Sequence, residues 1–508
     1  MTYESDVLKH IFFIDTEVSE RDNRACDFGA LNENGKEIHT GLESIFYSFI
    51  ADADYLCGHN IINHDSKYIK IPENAKLIDT LYLSPLMFPN KPYHALLKDD
   101  KLLTEELNNP LNDATKARDL FYDELNAFSR LGENLKLIYY KLLKRNSCFS
   151  GFFDFINFSS DEDLEKAIRE CFFGKICENA PLSDIILSMP VELAYCLSLV
   201  SATEEHSLIP RWVEINYPKV DMVMRLLRSC SCNRCEYCKV SLNPTIYLNR
   251  YFGFPSFRKY NDEPLQENAV NAAVGHKSLL VIFPTGGGKS LTFQIPALMA
   301  GENERALTVV ISPLQSLMKD QVDNLEKRGI AEAVTINGLL SPIERADAIE
   351  RVESGIASIL YISPESLRSV TIERLLLSRN INRFVIDEAH CFSAWGQDFR
   401  VDYLYIGDFI RELQEKKGNN CQIAVSCFTA TAKQKVISDI KEYFKKKLNI
   451  ELELFASDPS RTNLRYEVLY KENDAEKYEP FAVSLNRKNV QQLFMCQGQN
   501  EQESLLKS

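Results

Sequence analysis

The sequence predicts an α/β protein organised around a parallel sheet. The apolar run Leu279–Ile282 reads as a buried strand and leads into a glycine-rich loop and a helix start. Two further apolar runs, residues 309–311 and 360–362, each end in a Ser-Pro turn, with helical patterns between them. A fourth apolar run, residues 384–386, is followed directly by two carboxylates. Strands that alternate with helices in this way predict βαβ units and parallel pairing.

Composition sets the class of protein. The 508 residues are enough for about three domains, and the 45% hydrophobic and 26% charged contents are typical of globular proteins. Acidic residues outnumber basic ones by 72 to 58, so the chain lacks the strong positive charge that is common in nucleic-acid-binding proteins. A local basic channel could still bind nucleic acid. We find no apolar run of about 18 residues and no signal-peptide pattern, and expect no membrane partner. Apart from one cluster the 14 cysteines are scattered, which favours a reducing, cytoplasmic environment.

Carboxylates follow apolar segments in the first 130 residues. Residues 11–14 read as a strand that continues into Asp15 and Glu17, which strand geometry places on one face. Asp65 follows a second apolar segment, and Asp113 lies at the start of a helical pattern. These four carboxylates are candidate ligands of divalent cations, and the alternative is that they are ordinary solvated acids.

Residues 8–130 resemble the DEDD family of 3′–5′ exonucleases. The family's D-x-E motif matches Asp15 and Glu17, and its later metal-binding aspartates match Asp65 and Asp113. The resemblance implies an RNase-H-like domain over residues 1–130 that holds two Mg²⁺ or Mn²⁺ ions. The family's general-base histidine is replaced by Asn108, which cannot accept a proton from water near neutral pH. We therefore predict that the metal site persists and that nuclease activity is weak or absent.

Residues 131–245 read as a mostly helical spacer that ends in a cysteine cluster. Apolar residues recur near the 3.6-residue helical period, and no catalytic motif is present. The cluster has the pattern C-x-C-x₂-C-x₂-C and comprises Cys230, Cys232, Cys235 and Cys238. Such spacing is found in zinc knuckles and in iron–sulfur ligand runs, so the sequence leaves zinc, an iron–sulfur cluster and no metal as alternatives.

The loop after Leu279–Ile282 has the composition of a phosphate site. Successive glycines let backbone N–H groups face a polyphosphate, a lysine reaches the β- and γ-phosphates, and a hydroxyl contacts Mg²⁺. The residues concerned are Thr285, Gly286, Gly287, Gly288, Lys289 and Ser290. The strict P-loop pattern has glycine at position 283, where this chain has Phe283. The alternative interpretation is a flexible glycine turn.

The acidic strand end completes a nucleotide site. Asp387 and Glu388 begin the sequence Asp-Glu-Ala-His, about 100 residues after the P-loop. Asp387 is a candidate Mg²⁺ ligand, and Glu388 is a candidate for orienting or deprotonating the attacking water; with Lys289 they form the predicted catalytic set. Residues 246–470, the predicted ATP-binding lobe, closely resemble the first RecA-like lobe of RecQ helicases of superfamily 2.

The RecQ resemblance implies further contacts. The family's adenine-reading motif matches Phe254, Arg258 and, with altered spacing, Gln266. Its aromatic-rich loop, which couples single-stranded DNA to ATP hydrolysis, provides the predicted DNA contacts. These are Trp395, Phe399 and Arg400. ATP, Mg²⁺ and DNA are thus the expected cofactors and partner, and 3′–5′ DNA unwinding is the expected family activity.

The final segment, residues 471–508, departs from the family pattern and is rich in glutamine. We back-translated this tail with a free choice of third codon bases and translated it again in a frame shifted by two bases. The resulting peptide resembles the strand that opens the family's second lobe. We therefore predict a reading-frame shift near Pro480 that truncates a longer helicase. For such a chain we expect ATP and DNA binding with little hydrolysis and no processive unwinding. The alternatives are a DNA-binding adaptor without motor activity and a metal-dependent 3′–5′ exonuclease.

Overall fold

The structure is a computed structural model that describes residues 9–19, 21–91, 93–96, 109–202, 207–230, 232, 234–393, 401–418, 422–430 and 433–457. The predicted tail, residues 471–508, lies outside these ranges. Among the described residues, no helix combines the length and apolar character that crossing a bilayer requires.

The N-terminal lobe, residues 9–242, begins with a five-stranded mixed sheet. Its first elements are β1 (Ile11–Val18), β2 (Ala25–Asn32), β3 (Glu37–Thr40), α1 (Glu43–Phe49), β4 (Tyr55–Gly58), β5 (Lys76–Asp79), α2 (Thr80–Met87) and α3 (Pro110–Arg130). The strand order is β3-β2-β1-β4-β5, with β2 antiparallel to β1 and β3, and with β4 parallel to β1 and β5. The first four residues of β1 are buried, as expected for a central strand with both faces covered.

Helix α3 packs on this sheet and brings Asp113 towards β1. Ala114, Ala117 and Phe121 recur at helical spacing and are buried on the face of α3 that meets the strands. Gly29 of β2 permits the close approach, since a Cβ there would lie 2.1 Å from the backbone nitrogen of Leu111. The sheet thus places the start of α3 beside the acidic end of β1.

The rest of the N-terminal lobe is helical and shares a core with the sheet. It comprises α4 (Glu133–Leu143), α5 (Ser147–Ile156), α6 (Leu164–Cys171), α7 (Leu182–Ser188), α8 (Pro190–Ser201), α9 (Arg211–Asn216), α10 (Val220–Arg228) and α11 (Glu236–Ser241). Phe13 of β1 belongs to the same buried cluster as Leu137 of α4 and Leu227 of α10. The Tyr195 hydroxyl of α8 also donates a 2.9 Å hydrogen bond to the carbonyl of Tyr82. The core therefore continues across residue 130, and the predicted domain boundaries stay predictions.

The P-loop lobe, residues 244–457, is built on a seven-stranded parallel sheet. Its helices and strands are α12 (Pro244–Phe252), α13 (Leu265–Val274), β6 (Leu279–Ile282), α14 (Lys289–Glu304), β7 (Leu307–Ile311), α15 (Gln315–Glu326), β8 (Ala333–Ile336), α16 (Pro342–Glu353), β9 (Ile359–Ile362), α17 (Val370–Leu377), β10 (Ile381–Ile386), α18 (Ile406–Lys417), β11 (Ala424–Thr429), α19 (Gln434–Leu448) and β12 (Glu453–Ala456). The strand order is β12-β6-β11-β10-β7-β9-β8, and every neighbouring pair is parallel. The predicted α/β class with parallel βαβ units is confirmed.

This topology determines where the predicted site residues meet. Strands β6, β11 and β10 are successive neighbours, so the loops that follow them emerge at one edge of the sheet. The loop after β6 carries the glycines, the loop after β10 carries Asp387 and Glu388, and β11 ends at Thr429. All residues of these three strands are buried, because helices cover both faces of the sheet.

Candidate nucleotide site and metal centres

The glycine-rich loop connects β6 to the start of α14. Gly286 and Gly288 have φ values of 74° and 84°, in the left-handed region that favours glycine. Lys289 and Ser290 form the first turn of α14, where N–H groups and the helix dipole favour a bound anion. The predicted lysine and hydroxyl therefore lie at the helix start that a polyphosphate site requires.

Three side chains hold the carbonyl groups of the loop. Arg258 Nη1 donates to the carbonyl of Gly286 at 2.7 Å, the Tyr260 hydroxyl donates to that of Gly287, and Gln266 Nε2 donates to that of Gly288 at 2.9 Å. Gln266 is buried, and its Oε1 accepts the backbone N–H of Arg258 at 2.8 Å. This bond links two of the side chains that hold the loop.

The carbonyl contacts determine which way the loop amides face. In a planar trans peptide the N–H points opposite to the C=O of the same unit. Holding the carbonyls of Gly287 and Gly288 therefore aims the N–H groups of Gly288 and Lys289 to the other side of the loop. The N–H of Gly287 instead closes a turn on the carbonyl of Pro284 at 2.8 Å.

Phe283 supports the loop from below. Its ring is fully buried and stacks on the ring of Tyr260, with centroids 4.6 Å apart and planes at 26°. The aromatic residue at the position of the missing glycine thus positions the hydroxyl that holds Gly287. Sequence reasoning missed Tyr260, which belongs to no motif and whose role depends on this ring contact.

Of the three residues predicted to contact the purine, Gln266 holds the loop as described above, and the other two differ in their surroundings. The ring of Phe254 is 44% exposed, as stacking on a base requires. The Arg258 guanidinium donates its hydrogen bond to the carbonyl of Gly286. The structure therefore places Arg258 as a support of the loop, and its predicted contact with the purine stays a prediction.

The two carboxylates after β10 differ in their environments. Burial raises the pKa of Asp387 to about 6, with Glu388 adding to the rise and the charges of Lys289 and His390 opposing it. The hydrogen bond from His390 keeps the pKa of Glu388 below its ordinary value, and Lys289 acts in the same direction. His390 Nδ1 lies 3.3 Å from Glu388 Oε2 and 3.2 Å from the Thr429 hydroxyl at the end of β11. This histidine joins the acidic motif to the neighbouring strand.

The donor set fits Mg²⁺ with a nucleotide. Hydroxyl and carboxylate oxygens, here from Ser290 and Asp387, are what this hard cation prefers. Asp387 is further positioned by a bond from its own N–H to the carbonyl of Ile311 at 2.9 Å, and its carbonyl accepts the Tyr403 hydroxyl at 2.9 Å. When bound, the cation would neutralise phosphate charge.

Comparison with known proteins decides the class of this lobe. A family model described as DEAD/DEAH box helicase matches residues 263–440. The chain is 40% identical over 227 residues to the ATP-dependent DNA helicase RecQ of Bacillus subtilis (strain 168), an alignment covering 44% of this chain and 35% of that protein. It is 34% identical over 262 residues to the RecQ helicase of Haemophilus influenzae, covering 51% of this chain and 39% of the relative.

Residues 263–440, called the RecQ-type domain below, match the DEAD/DEAH box helicase family, and these relatives of the lobe are RecQ helicases. The predicted RecQ resemblance of this lobe is thereby confirmed. The chain spans less than two-fifths of the length of these RecQ relatives. Among solved structures, the DUF1998 helicase MrfA matches with a TM-score of 0.40 and 19% identity, over 52% of this chain and 40% of MrfA.

The DNA contacts predicted for the RecQ-type domain lie outside the described residues. They are Trp395, Phe399 and Arg400. The described chain reaches Ser393, whose hydroxyl donates to Asp439 of α19 at 2.6 Å. Residues 389–392 form a 3₁₀ turn that directly follows Glu388.

The structure brings three of the four predicted N-terminal metal ligands together. Oxygens of Asp15, Glu17 and Asp113 all lie within 4.8 Å of one another. Asp65 does not belong to this group, because its Oδ1 accepts the Thr16 N–H at 2.9 Å and the Thr16 hydroxyl at 2.7 Å. The side chain of Thr16 points to the opposite face of β1 from those of Asp15 and Glu17, which explains the separation. Asn108, at the predicted general-base position, lies outside the described residues.

The cysteine cluster forms with one change of membership. The sulfurs of Cys232, Cys235 and Cys238 lie within 4.8 Å of one another and of Cys177, which follows α6. Cys230, which we predicted as a ligand, is not in the group and is exposed. Cys177 lies far upstream in the chain, so no local spacing signals its part in the cluster.

Proposed function

We propose that this chain is an ATP-dependent DNA helicase of the RecQ type whose P-loop lobe binds ATP with Mg²⁺ and couples the nucleotide to DNA. The observation that carries the proposal is the edge of the RecQ-type domain where a braced glycine loop, Lys289 and the Asp387–Glu388 pair meet. RecQ relatives of 34% to 40% identity support the DNA-helicase class.

In this proposal each residue has a distinct role. The N–H groups of Gly288 and Lys289 and the Lys289 ammonium bind the β- and γ-phosphates. Ser290 and Asp387 would hold Mg²⁺, and Glu388 orients the attacking water and accepts its proton. Phe254 stacks on the adenine, with Gln266 and Arg258 holding the loop beneath it.

Coupling to DNA follows from the neighbouring strand end. His390 contacts both Glu388 and Thr429, and the carbonyl of Thr429 accepts the N–H of Phe283 next to the P-loop at 3.2 Å. These contacts form a continuous path from Glu388 through His390 and Thr429 to the P-loop, along which we propose that a change at the γ-phosphate is transmitted. We propose that single-stranded DNA stacks on Trp395 and Phe399, with Arg400 on a phosphate, a few residues beyond this histidine.

Lys289→Ala is expected to weaken binding of a fluorescent ATP analogue by about 10- to 100-fold, because hydrogen bonds to charged groups contribute about 1.5–3 kcal/mol. The same variant is expected to lose the low ATP turnover that we expect of the wild type with single-stranded DNA. Binding is measured by titration with Mg²⁺, and turnover by phosphate release.

The matched control is Lys327→Ala. Lys327 is an exposed lysine at the far end of α15, at the opposite edge of the sheet from the loop. It is expected to bind the analogue like the wild type. Equal affinities of the two variants would reject the nucleotide site, and nucleotide binding without any effect of DNA on turnover would favour the adaptor alternative.

A second candidate function is metal-dependent cleavage of nucleic acid by the N-terminal lobe. The grouping of Asp15, Glu17 and Asp113 favours a divalent-cation site there, with Mg²⁺ or Mn²⁺ as the ion. We expect weak cleavage, because asparagine at position 108 cannot act as a general base.

For this candidate, Asp15→Ala is expected to remove binding of Mn²⁺ to the N-terminal lobe and any slow shortening of a 3′-labelled single strand. Mn²⁺ is followed by its electron paramagnetic resonance signal in a Lys289→Ala background, so that nucleotide-linked metal does not contribute. Asp22→Ala is the control, since Asp22 lies in the exposed turn after β1. Rapid cleavage that survives Asp15→Ala would exclude this site as its source.

A further inference from the structure

Four cysteine sulfurs from two distant parts of the N-terminal lobe converge on one point. Cys177 comes from the loop after α6, Cys232 and Cys235 precede α11, and Cys238 lies within it. Their sulfurs all lie within 4.8 Å of one another, and those of Cys232 and Cys238 are 3.9 Å apart. All four are free thiols rather than disulfide partners.

The backbone around these thiols is arranged to support thiolates. The N–H of Cys235 donates to the sulfur of Cys232, and the N–H of Cys238 donates to the sulfur of Cys235, each at 3.4 Å. Such N–H···S contacts orient metal-bound cysteines and stabilise their negative charge. Cys177 is fixed separately, because its N–H donates to the carbonyl of Leu227 at the end of α10 at 2.8 Å.

We propose that Cys177, Cys232, Cys235 and Cys238 bind a single Zn²⁺ ion in a closed tetrahedral site. Four Zn–S bonds of about 2.3 Å produce sulfur–sulfur edges of about 3.8 Å, close to the separation of Cys232 and Cys238. A cluster of several iron atoms places its cysteine sulfurs on different metal atoms and therefore farther apart. The four thiols lose their protons as the ion binds, and no coordination position is left for water or substrate.

This site has a structural consequence for the P-loop lobe. Tyr237, between two of the ligands, is buried, and its hydroxyl lies 2.8 Å from the carbonyl of Arg228 and 3.1 Å from Asn303 Oδ1. Asn303 Nδ2 donates to the carbonyl of Ser241 at 2.9 Å. Asn303 lies on α14, the helix that begins at Lys289. The zinc ion thus fixes α11 to α10 on one side and to the nucleotide-binding helix on the other.

The chain provides a matched pair of variants for testing the ligand set. Cys177→Ser is expected to lower zinc, measured by elemental analysis of the purified full chain, from about one ion per chain to well below half. Cys230→Ser is expected to keep the wild-type content, because Cys230 lies outside the group. Loss of zinc in Cys230→Ser with retention in Cys177→Ser would overturn the proposed ligand set.

The metal and its ligands can also be tested on the unaltered chain, which does not depend on whether Cys177→Ser folds. X-ray absorption at the zinc edge is expected to show four sulfur neighbours at about 2.3 Å. Nitrogen or oxygen neighbours, an absence of zinc, or iron with absorbance near 400 nm would each overturn it. Chelation is expected to lower the unfolding temperature and expose residues 229–243 to protease; a metal-free chain as stable and as protease-resistant as the loaded one would refute the structural role.

Discussion

Glu388→Gln is expected to lower ATP turnover in the presence of single-stranded DNA by about 10²- to 10⁴-fold, the range associated with loss of a general base. Glu388 follows the end of β10, and the bond from His390 keeps its pKa low, so the carboxylate is ionised near neutral pH. Glutamine has nearly the same shape but cannot accept a proton. Affinity for ATP is expected to stay close to the wild-type value, because in the proposed site the glycine loop and Lys289 hold the phosphates.

The measurement pairs steady-state phosphate release with titration of an ATP analogue. His390→Asn is the companion variant, because it removes the partner of Glu388 while keeping the carboxylate. It is expected to retain more turnover than Glu388→Gln. If Glu388→Gln hydrolyses ATP at the wild-type rate, Glu388 does not act on the water. If the variant fails to bind the analogue, the defect lies in binding and the assigned role is wrong.

The parts of the proposed nucleotide site that could be located from the sequence are those that lie in contiguous motifs. A buried parallel strand is an unbroken apolar run, so β6 and β10 and the loops that follow them were recognisable without tertiary information. The parallel sheet then necessarily brought Lys289 and Asp387 to one edge. Contacts formed between segments had no such signal: Tyr260 matters because Phe283 stacks on it, and Cys177 matters because its loop packs on α10.

The contacts between the two lobes were not predicted for the same reason, because they join segments that are far apart in the sequence. Residues 131–245 were expected to be a spacer, yet helices α9 and α10 present buried charges to the P-loop lobe. Glu214 on α9 is 3.5 Å from Lys417 Nζ on α18, and each side chain is only 4% exposed. Burial raises the pKa of Asp221 on α10 to about 7, with Glu214 adding to the rise and Lys417 opposing it. Local periodicity cannot identify the partner of a buried charge, since that partner lies about 200 residues away.

A buried ion pair of this kind makes the joint between the lobes sensitive to single substitutions. Lys417 Nζ also donates to the carbonyl of Arg379 at 2.6 Å, so the ammonium satisfies two groups that have little access to water. Arg211 lies 3.4 Å from the same carboxylate oxygen of Glu214 but is more exposed. Removing the lysine leaves a largely buried carboxylate with a weaker partner, and desolvation then dominates.

Lys417→Met is therefore expected to lower the free energy of unfolding by about 3–5 kcal/mol, the cost of breaking a buried pair from one side. Lys416→Met is the matched control: the Lys416 side chain is 51% exposed and pairs with Glu373 at the surface, where water screens the pair and its contribution to stability is small. Urea titrations of the full chain measure both. The double variant Glu214→Gln/Lys417→Met is expected to recover part of the loss, because it no longer buries an unbalanced charge. If the two lysine variants lower the free energy of unfolding equally, water reaches the Glu214–Lys417 pair and the contact between the two lobes does not depend on it.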